Sequence, residues 1–323
     1  MDITHNGKII KGVGGLYTVR LDGTAEHGGE HRVLCRAKGG FRHSHITPLV
    51  GDRVTVQLDT DTAKATDADL RRDGGGAVIR DILPRTNALI RPPMANLDIL
   101  FVTLAAASPA PILSTVDKLI SIAEYHKIEP VIVVTKADLD ERTAQELSTL
   151  YAKAGFDTFV VGADDGDCLS PLATYLNTHL TGGRTAAFAG ASGIGKSTLM
   201  NRLFPSLSLS TNDVSHKTER GRHTTRHVEL FALSHTEDTA YIADTPGFSL
   251  LDFDRFDFFA LEDLPDTMRE FAPHLGHCRY TKCSHTAEDG CAVLEAVKRG
   301  EITRSRHDSF CEMYGVLRNK KKW

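Results

Sequence analysis

The eight residues Gly190-Ala-Ser-Gly-Ile-Gly-Lys-Ser197 limit this chain to a small set of folds. The apolar run Thr185-Ala-Ala-Phe-Ala189 leads in as a strand. Ser197-Thr-Leu-Met-Asn-Arg-Leu-Phe204 leads out as a helix, with Leu199 and Leu203 one turn apart. Strand, glycine-rich turn and helix together predict a phosphate loop, in which backbone N–H groups and a helix N-terminus face a polyphosphate. Lys196 is positioned to reach the β- and γ-phosphates, and the Ser197 hydroxyl to ligate Mg²⁺. Gly190, Ala191, Ser192, Gly193, Ile194, Gly195, Lys196, Ser197 and Thr198 are the expected phosphate-binding set.

Such a loop sits on a mainly parallel sheet, and the surrounding pattern agrees. Buried-strand runs at 98–104, 130–134, 157–161, 185–189 and 239–243 alternate with helical stretches such as 115–127 and 143–154,. Before them, residues 1–85 carry short β-like runs at 15–20, 31–36, 52–58 and 77–83, separated by glycines, which predicts a small barrel,. After residue 256 amphipathic stretches at 265–274, 288–299 and 303–318 predict helices,. The expected division is a barrel over 1–85, an α/β nucleotide domain over 86–255 and a helical domain over 256–323.

The base that the nucleotide carries is read from a second phrase. Recognition of guanine needs a carboxylate that accepts from the ring N1–H and the exocyclic amine, usually within Asn-Lys-x-Asp at a strand end. No such phrase follows the phosphate loop. Upstream, Val131-Ile-Val-Val-Thr-Lys-Ala-Asp138 fits, with Thr135 in place of Asn. Asp138 is expected to read the base, Lys136 to lie along its ring, and Thr135 and Ala137 to complete the phrase. Thr135 reaches less far than Asn, so weaker base contacts are expected. Gly162 and Ala163, after the next strand, are expected to contact the base through their backbone.

Asp244-Thr-Pro-Gly247 follows the strand Ala240-Tyr-Ile-Ala243 and predicts a second switch, with Asp244 near Mg²⁺ and the Gly247 N–H at the γ-phosphate,. The base phrase therefore precedes the phosphate loop, which precedes the switches. This is a circular permutation of the ordinary GTPase order. Residues 206–225 are polar and poorly periodic, as an order–disorder switch would be, and Thr224 or Thr225 is expected to close over Mg²⁺,. Phe248 stands where many GTPases carry a water-orienting Gln, so slow intrinsic hydrolysis is expected,. His223 is the candidate to orient the attacking water.

Cys278, Cys283, His285 and Cys291 lie within 14 residues and suit one tetrahedral Zn²⁺, with no position left for water and hence a structural role,. Net charge is −4 overall, yet residues 1–58 carry a balance of +3 and residues 292–323 one of +4. Arg36, Lys38 and Arg42 surround Phe41 in the barrel, a combination suited to RNA phosphates and base stacking,. The longest apolar stretch, Leu97 to Ala107, is 11 residues and contains Asp98, so no membrane span is expected, and the chain is expected to be cytoplasmic,.

The permuted order, together with Gly221-Arg-His-Thr-Thr225, the Cys278-x4-Cys283-x-His285-x5-Cys291 cluster, Gly14-Gly-Leu-Tyr-Thr-Val19, Gly51-Asp-Arg-Val54 and Arg91-Pro-Pro-Met-Ala-Asn96, closely resembles the ribosome small-subunit-dependent GTPase A family (RsgA). The resemblance covers nearly the whole chain. It implies an N-terminal OB-fold, a central permuted P-loop GTPase domain and a C-terminal zinc domain. It also implies a GTPase that binds the small ribosomal subunit and its rRNA late in assembly, stimulated by that particle and acting as a monomer with GTP and GDP. The competing reading is a nucleotide-gated RNA-binding placeholder whose hydrolysis is incidental.

Overall fold

The computed structural model describes residues 3–23, 31–43, 46–58, 77–162, 166–205, 228–234, 239–244, 253 and 256–320. The chain divides into two compact units. One comprises Met1–Asp98, Tyr175–Ala187 and Val214–Gly247, the other Ile99–Thr174, Phe188–Asp213 and Phe248–Trp323.

The first unit begins with β1 (Ile3–Val13), β2 (Leu16–Leu21), β3 (Arg32–Ala37), the short α1 (Gly40–His43), β4 (Arg53–Leu58) and β5 (Ala77–Ile82). The strand order β1-β2-β3-β5-β4 closes on itself because β4 also pairs antiparallel with β1, from Ile3↔Leu58 to Lys8↔Arg53. This is an OB-like five-stranded barrel. Alternate residues point inward, and Ile9, Val19, Cys35, Val54, Val56 and Ile79 are all fully buried,. The sequence pattern indicated four of these strands and missed β1. Its Thr-His-Asn-Gly-Lys run is polar, and only pairing on both edges makes it a strand,.

The turn before β4 is locked to the hairpin β6 (Ala88–Leu89) and β7 (Met94–Ala95). Gly51 has φ +94°, and a Cβ there would lie 2.0 Å from the Ala95 carbonyl oxygen. The Asn96 amide donates to the Gly51 carbonyl at 3.0 Å. Asp52, fully buried, accepts from the Arg85 Nε and Nη2 at 2.7 Å each and from the Leu49 N–H at 2.7 Å. The Gly-Asp-Arg-Val and Pro-Met-Ala-Asn phrases thus hold each other.

In the second unit β8 (Ile99–Ala105), β9 (Glu129–Thr135) and β10 (Thr158–Val160) form parallel ladders in the order β10-β9-β8. Every residue of β8 is buried, as expected of a strand covered on both faces,. Helix α2 (Leu113–Tyr125) buries Val116, Leu119, Ile120 and Ala123, while α3 (Glu141–Lys153) buries Ala144, Leu147 and Tyr151. Asp140 caps α3 by accepting from the Thr143 N–H at 2.9 Å,. Helix α4 (Gly166–His179) and β11 (Thr185–Ala189) contribute residues to both units, and α5 (Lys196–Leu203) follows the glycine-rich loop.

Back in the first unit, β12 (Glu229–Ala232) pairs antiparallel with β13 (Tyr241–Asp244), and β13 runs parallel to the start of β11. β12 joins the barrel through Lys11↔Glu229 on β1, where the two side chains form an ion pair at 2.6 Å.

The C-terminal part of the second unit contains α6 (Ala292–Lys298) and α7 (Arg304–Asn319) around Leu264, Met268, Phe271, Val293, Phe310 and Met313. The helix expected over 265–274 is instead a pair of 3₁₀ turns, Leu261–Thr267 and Arg269–Phe271. Pro265 removes a backbone donor and Pro273 disfavours helical geometry just before it, so the apolar spacing alone misleads,. Arg306 of α7 has no exposed surface. It donates to Asp117 of α2 and to Glu270, each at 2.7 Å, and Asp117 also accepts from Tyr151 of α3 at 3.2 Å. Among the described residues no helix is long and apolar enough to cross a membrane.

Candidate nucleotide site and metal cluster

The glycine-rich loop is shaped by the strand beside it. A Cβ on Gly190 would lie 2.2 Å from the Thr103 carbonyl oxygen and 2.5 Å from Cδ1 of Ile194, and φ there is +146°. Only glycine fits so close an approach. The Thr103 hydroxyl donates to the Ala189 carbonyl at 2.5 Å, tying β8 to the strand that enters the loop. Lys196 opens α5, and its ammonium donates to the Gly190 and Ala191 carbonyls at 2.9 and 2.7 Å, so the charge lies over the loop. Ser192, Gly193 and Thr198 are exposed, Ser197 and Gly195 half-buried, and Ile194 packs into the core.

The upstream base phrase is built into the same structure. The Thr135 hydroxyl, buried at the end of β9, donates to the Ile194 carbonyl at 2.6 Å and lies 3.2 Å from the Leu104 carbonyl. Lys136 takes a left-handed turn (φ +55°), and its ammonium donates to the Gly193 carbonyl at 2.7 Å and to the Ser108 carbonyl. Two consecutive side chains therefore hold the glycine-rich loop from the end of β9. Thr135 spends its hydroxyl on that loop, a role its reach permits and one the sequence reading did not assign. Ala137 and Asp138 lie in the following 3₁₀ turn, with Asp138 exposed.

The Ala137 N–H donates to the Val161 carbonyl at 3.3 Å, and Arg202 of α5 donates to the buried Gly162 carbonyl at 2.7 Å. Thr103 and Arg202 were not singled out from the sequence. Neither lies in a motif, and only the packing shows which carbonyl each one holds. Replacing Thr135 with Val keeps its shape and leaves the Ile194 carbonyl without its donor. The expected result is about tenfold weaker binding of GTP and GDP alike, because the loss acts on the loop and not on the γ-phosphate. Titration with fluorescent analogues of both nucleotides checks this, and a loss confined to GTP would contradict it.

Asp244 ends β13, half-buried. Ala163, His223, Thr224, Thr225, Gly247 and Phe248 lie outside the described residues. In the barrel Arg36 and Lys38 are exposed, at and just beyond the end of β3. Phe41 is half-buried on α1, and the Arg42 side chain lies outside the described residues.

Cys278, Cys283, His285 and Cys291 converge, with all four donor atoms within 4.8 Å of one another. The Cys278 sulfur is 3.8 Å from that of Cys291, and both are 3.5 Å from His285 Nδ1. A tetrahedron with Zn–S of about 2.3 Å and Zn–N of about 2.0–2.1 Å has edges of roughly 3.5–3.8 Å, so the donor set fits zinc. The His285 carbonyl is 2.8 Å from His307 Nε2, and Phe271 and Phe310 pack about the imidazole. Glu288 braces the intervening loop. Against the cost of its burial, hydrogen bonds from Ser284 and from backbone amides hold its carboxyl down at about 2.

Comparison with known proteins agrees with this geometry. The family model described as RsgA GTPase matches residues 82–254, and the RsgA N-terminal domain matches residues 6–64. The Small ribosomal subunit biogenesis GTPase RsgA of Alkaliphilus metalliredigens is 37% identical over 318 residues, 98% of this chain and 99% of that protein. Its Bacillus subtilis namesake is 35% identical over 320 residues, 98% of each. Among solved structures, YloQ, described as a circularly permuted GTPase, is 31% identical with a TM-score of 0.74, covering 99% of this chain and 97% of its own. YjeQ from Thermotoga maritima is 28% identical with a TM-score of 0.77, covering 99% and 100%. With a matching model over more than half its length and relatives aligned almost throughout, this chain belongs to the RsgA GTPase family and is a circularly permuted GTP hydrolase.

Proposed function

We propose that this GTP hydrolase serves the late maturation of the small ribosomal subunit, binding the particle and its rRNA with GTP and leaving after hydrolysis that the particle stimulates. The observation that carries the reading is the double tether from Thr135 and Lys136 to the phosphate loop. It joins a guanine-reading phrase to a triphosphate loop in the permuted order shared with relatives named for small-subunit biogenesis.

In this reading Gly190 to Thr198 cradle the phosphates, Asp138 accepts from the guanine edge, and Lys136 lies along the base. Gly162 and Ala163 contact the base through their backbone. Ser197, Thr225 and Asp244 would hold Mg²⁺, which supplies charge neutralisation at the β- and γ-phosphates. Gly247 senses the γ-phosphate, and His223 orients the attacking water in place of a Gln, since the Phe248 ring cannot. One Zn²⁺ on Cys278, Cys283, His285 and Cys291 is structural. Arg36, Lys38, Phe41 and Arg42 face rRNA. The protein works as a cytoplasmic monomer in three parts, 1–85, 86–255 and 256–323.

The test is turnover of GTP and ATP by the full chain with and without purified small subunits. Strong stimulation of GTP hydrolysis alone is expected, and His223→Ala is expected to lose that stimulation while retaining GTP affinity. Particle-independent GTP turnover would favour the placeholder reading instead. An unchanged stimulated rate in His223→Ala would remove that residue from the mechanism.

A further inference from the structure

The loop after β10 is held from α5, a helix made later in the chain. Gly162 is buried, and its carbonyl accepts from Arg202 Nη1 at 2.7 Å. Arg202 stands in the last turn of α5, 40 residues further along. An arginine at that position ordinarily complements the negative end of its own helix. Here one guanidinium N–H is committed to a carbonyl of a different element.

That contact closes a circuit within the second unit. Helix α5 opens with Lys196, directly after the glycine-rich loop, and buries Leu199 and Met200. Thr135 and Lys136 hold the Ile194 and Gly193 carbonyls of the same loop. Val161 is tied to their strand end twice. Its N–H donates to the Val134 carbonyl at 2.8 Å, and its carbonyl accepts from the Ala137 N–H at 3.3 Å. The path therefore runs from the glycine-rich loop along α5, through Arg202 to Gly162, and back by way of β9.

What Arg202 fixes is a peptide group. A trans peptide is planar, with its N–H pointing opposite to its C=O. A donor that pins the Gly162 carbonyl therefore sets the direction of the N–H across the same group. Being cationic, the guanidinium also polarises that group and strengthens the N–H as a donor. In the base-site reading proposed above, on which this inference rests, that N–H faces the nucleotide base. Guanine offers it an acceptor, the oxygen on carbon 6, where adenine presents an amine. Asp138 takes the other kind of group, the ring N1–H and the 2-amine.

We infer that Arg202 is a positioning residue for base selection: by holding and polarising the Gly162 peptide it sets recognition of the guanine 6-oxygen, separately from the groups read by Asp138. It lies past the end of the Gly-x-x-x-x-Gly-Lys-Ser pattern, so no motif spacing marks it.

Competition binding to the full chain with Mg²⁺ tests this with three probes. They are GDP, 6-thio-GDP, whose sulfur is a poor acceptor at the same place, and IDP, which keeps the oxygen and lacks the 2-amine. The parent chain is expected to prefer GDP over both. Arg202→Gln is expected to weaken GDP about tenfold and 6-thio-GDP far less, so that the preference between those two collapses. The preference for GDP over IDP should persist, since Asp138 is untouched. Arg202→Lys keeps a charged donor without the fork and should restore part of the lost preference. Each preference is a ratio within one preparation, so a partly unfolded variant does not imitate the effect. A loss of equal size for all three probes, or preferences unchanged in both variants, would overturn the role of Arg202. A parent chain that binds GDP no better than ADP or 6-thio-GDP would instead overturn the base-site reading beneath it.

Discussion

Stripping the proposed Zn²⁺ from Cys278, Cys283, His285 and Cys291 is expected to melt the C-terminal helices while the barrel stays folded. Apparent binding energies of structural zinc are about 10–16 kcal/mol at neutral pH, as large as the stability of a whole domain. The packing shows why so much would be lost. His285 and Cys291 are buried, and the imidazole sits against Phe271 and Phe310. The His285 carbonyl is partnered by His307 of α7. Without a cation, three sulfurs and a ring nitrogen within 4.8 Å of one another lose the ion that would join them, and backbone donors such as the Ala292 N–H, 3.4 Å from the Cys278 sulfur, do not bridge the four. Hydrogen exchange on the chelated full chain should show protection lost from residues 278–319 and kept over β1 to β5. Re-addition of Zn²⁺, and not of Mg²⁺, should restore it, since the thiolate donors are soft. Unchanged protection after verified metal removal would contradict the structural role.

Substituting Arg306 is the second change with a large expected effect. Arg306→Met keeps much of the volume but strands Asp117, 1% exposed, and leaves Glu270 without its strongest partner. Breaking one side of a buried pair costs about 3–5 kcal/mol. The loss should depend on pH in a definite sense. Burial already pushes the Asp117 carboxyl up, and Arg306 is the main group opposing that push. With Arg306 gone, the folded-state pKa rises further above its unfolded value. Stability is then retained below the unfolded pKa and lost as pH rises through the folded one. Urea titrations should therefore find the variant least destabilised in mild acid and most destabilised near neutrality. A loss independent of pH would mean that Asp117 finds another partner. Arg306→Met with Asp117→Asn should recover part of the stability, because the stranded charge is removed.

What could be read from the residues alone was local chemistry at fixed spacing. The phosphate loop, the Thr135 to Asp138 phrase and the cysteine cluster each carry their meaning within a few positions, so the permuted order and the family were visible without coordinates. The direction of the Thr135 hydroxyl was not visible, because it depends on Ile194 being brought alongside. β1 escaped notice for a related reason. A polar segment with a buried lysine reads as a loop until two strands and β12 claim its edges. The 3₁₀ turns over 261–271 show the reverse error, in which apolar spacing suggested a helix that two prolines forbid. Arg306 sits in an ordinary amphipathic stretch, and no count of charges distinguishes it from its exposed neighbour Arg304.

The interleaving of the two units bears on how the chain is made. The barrel has all five strands once Ile82 has left the ribosome, and its closure needs nothing further downstream. Yet the partner of Lys11 on β12, Glu229, is synthesised much later, roughly 7–30 s afterwards at ordinary elongation rates,. During that interval the β1 edge that will receive β12 stands unpaired on a nascent chain. The second unit waits longer still, since Asp117 and Tyr151 emerge well before Arg306 neutralises the carboxylate between them. A GTPase whose glycine-rich loop lies mid-chain, held by Thr135 and Lys136 made before it, thus completes the packing of its second unit only once Arg306 has emerged.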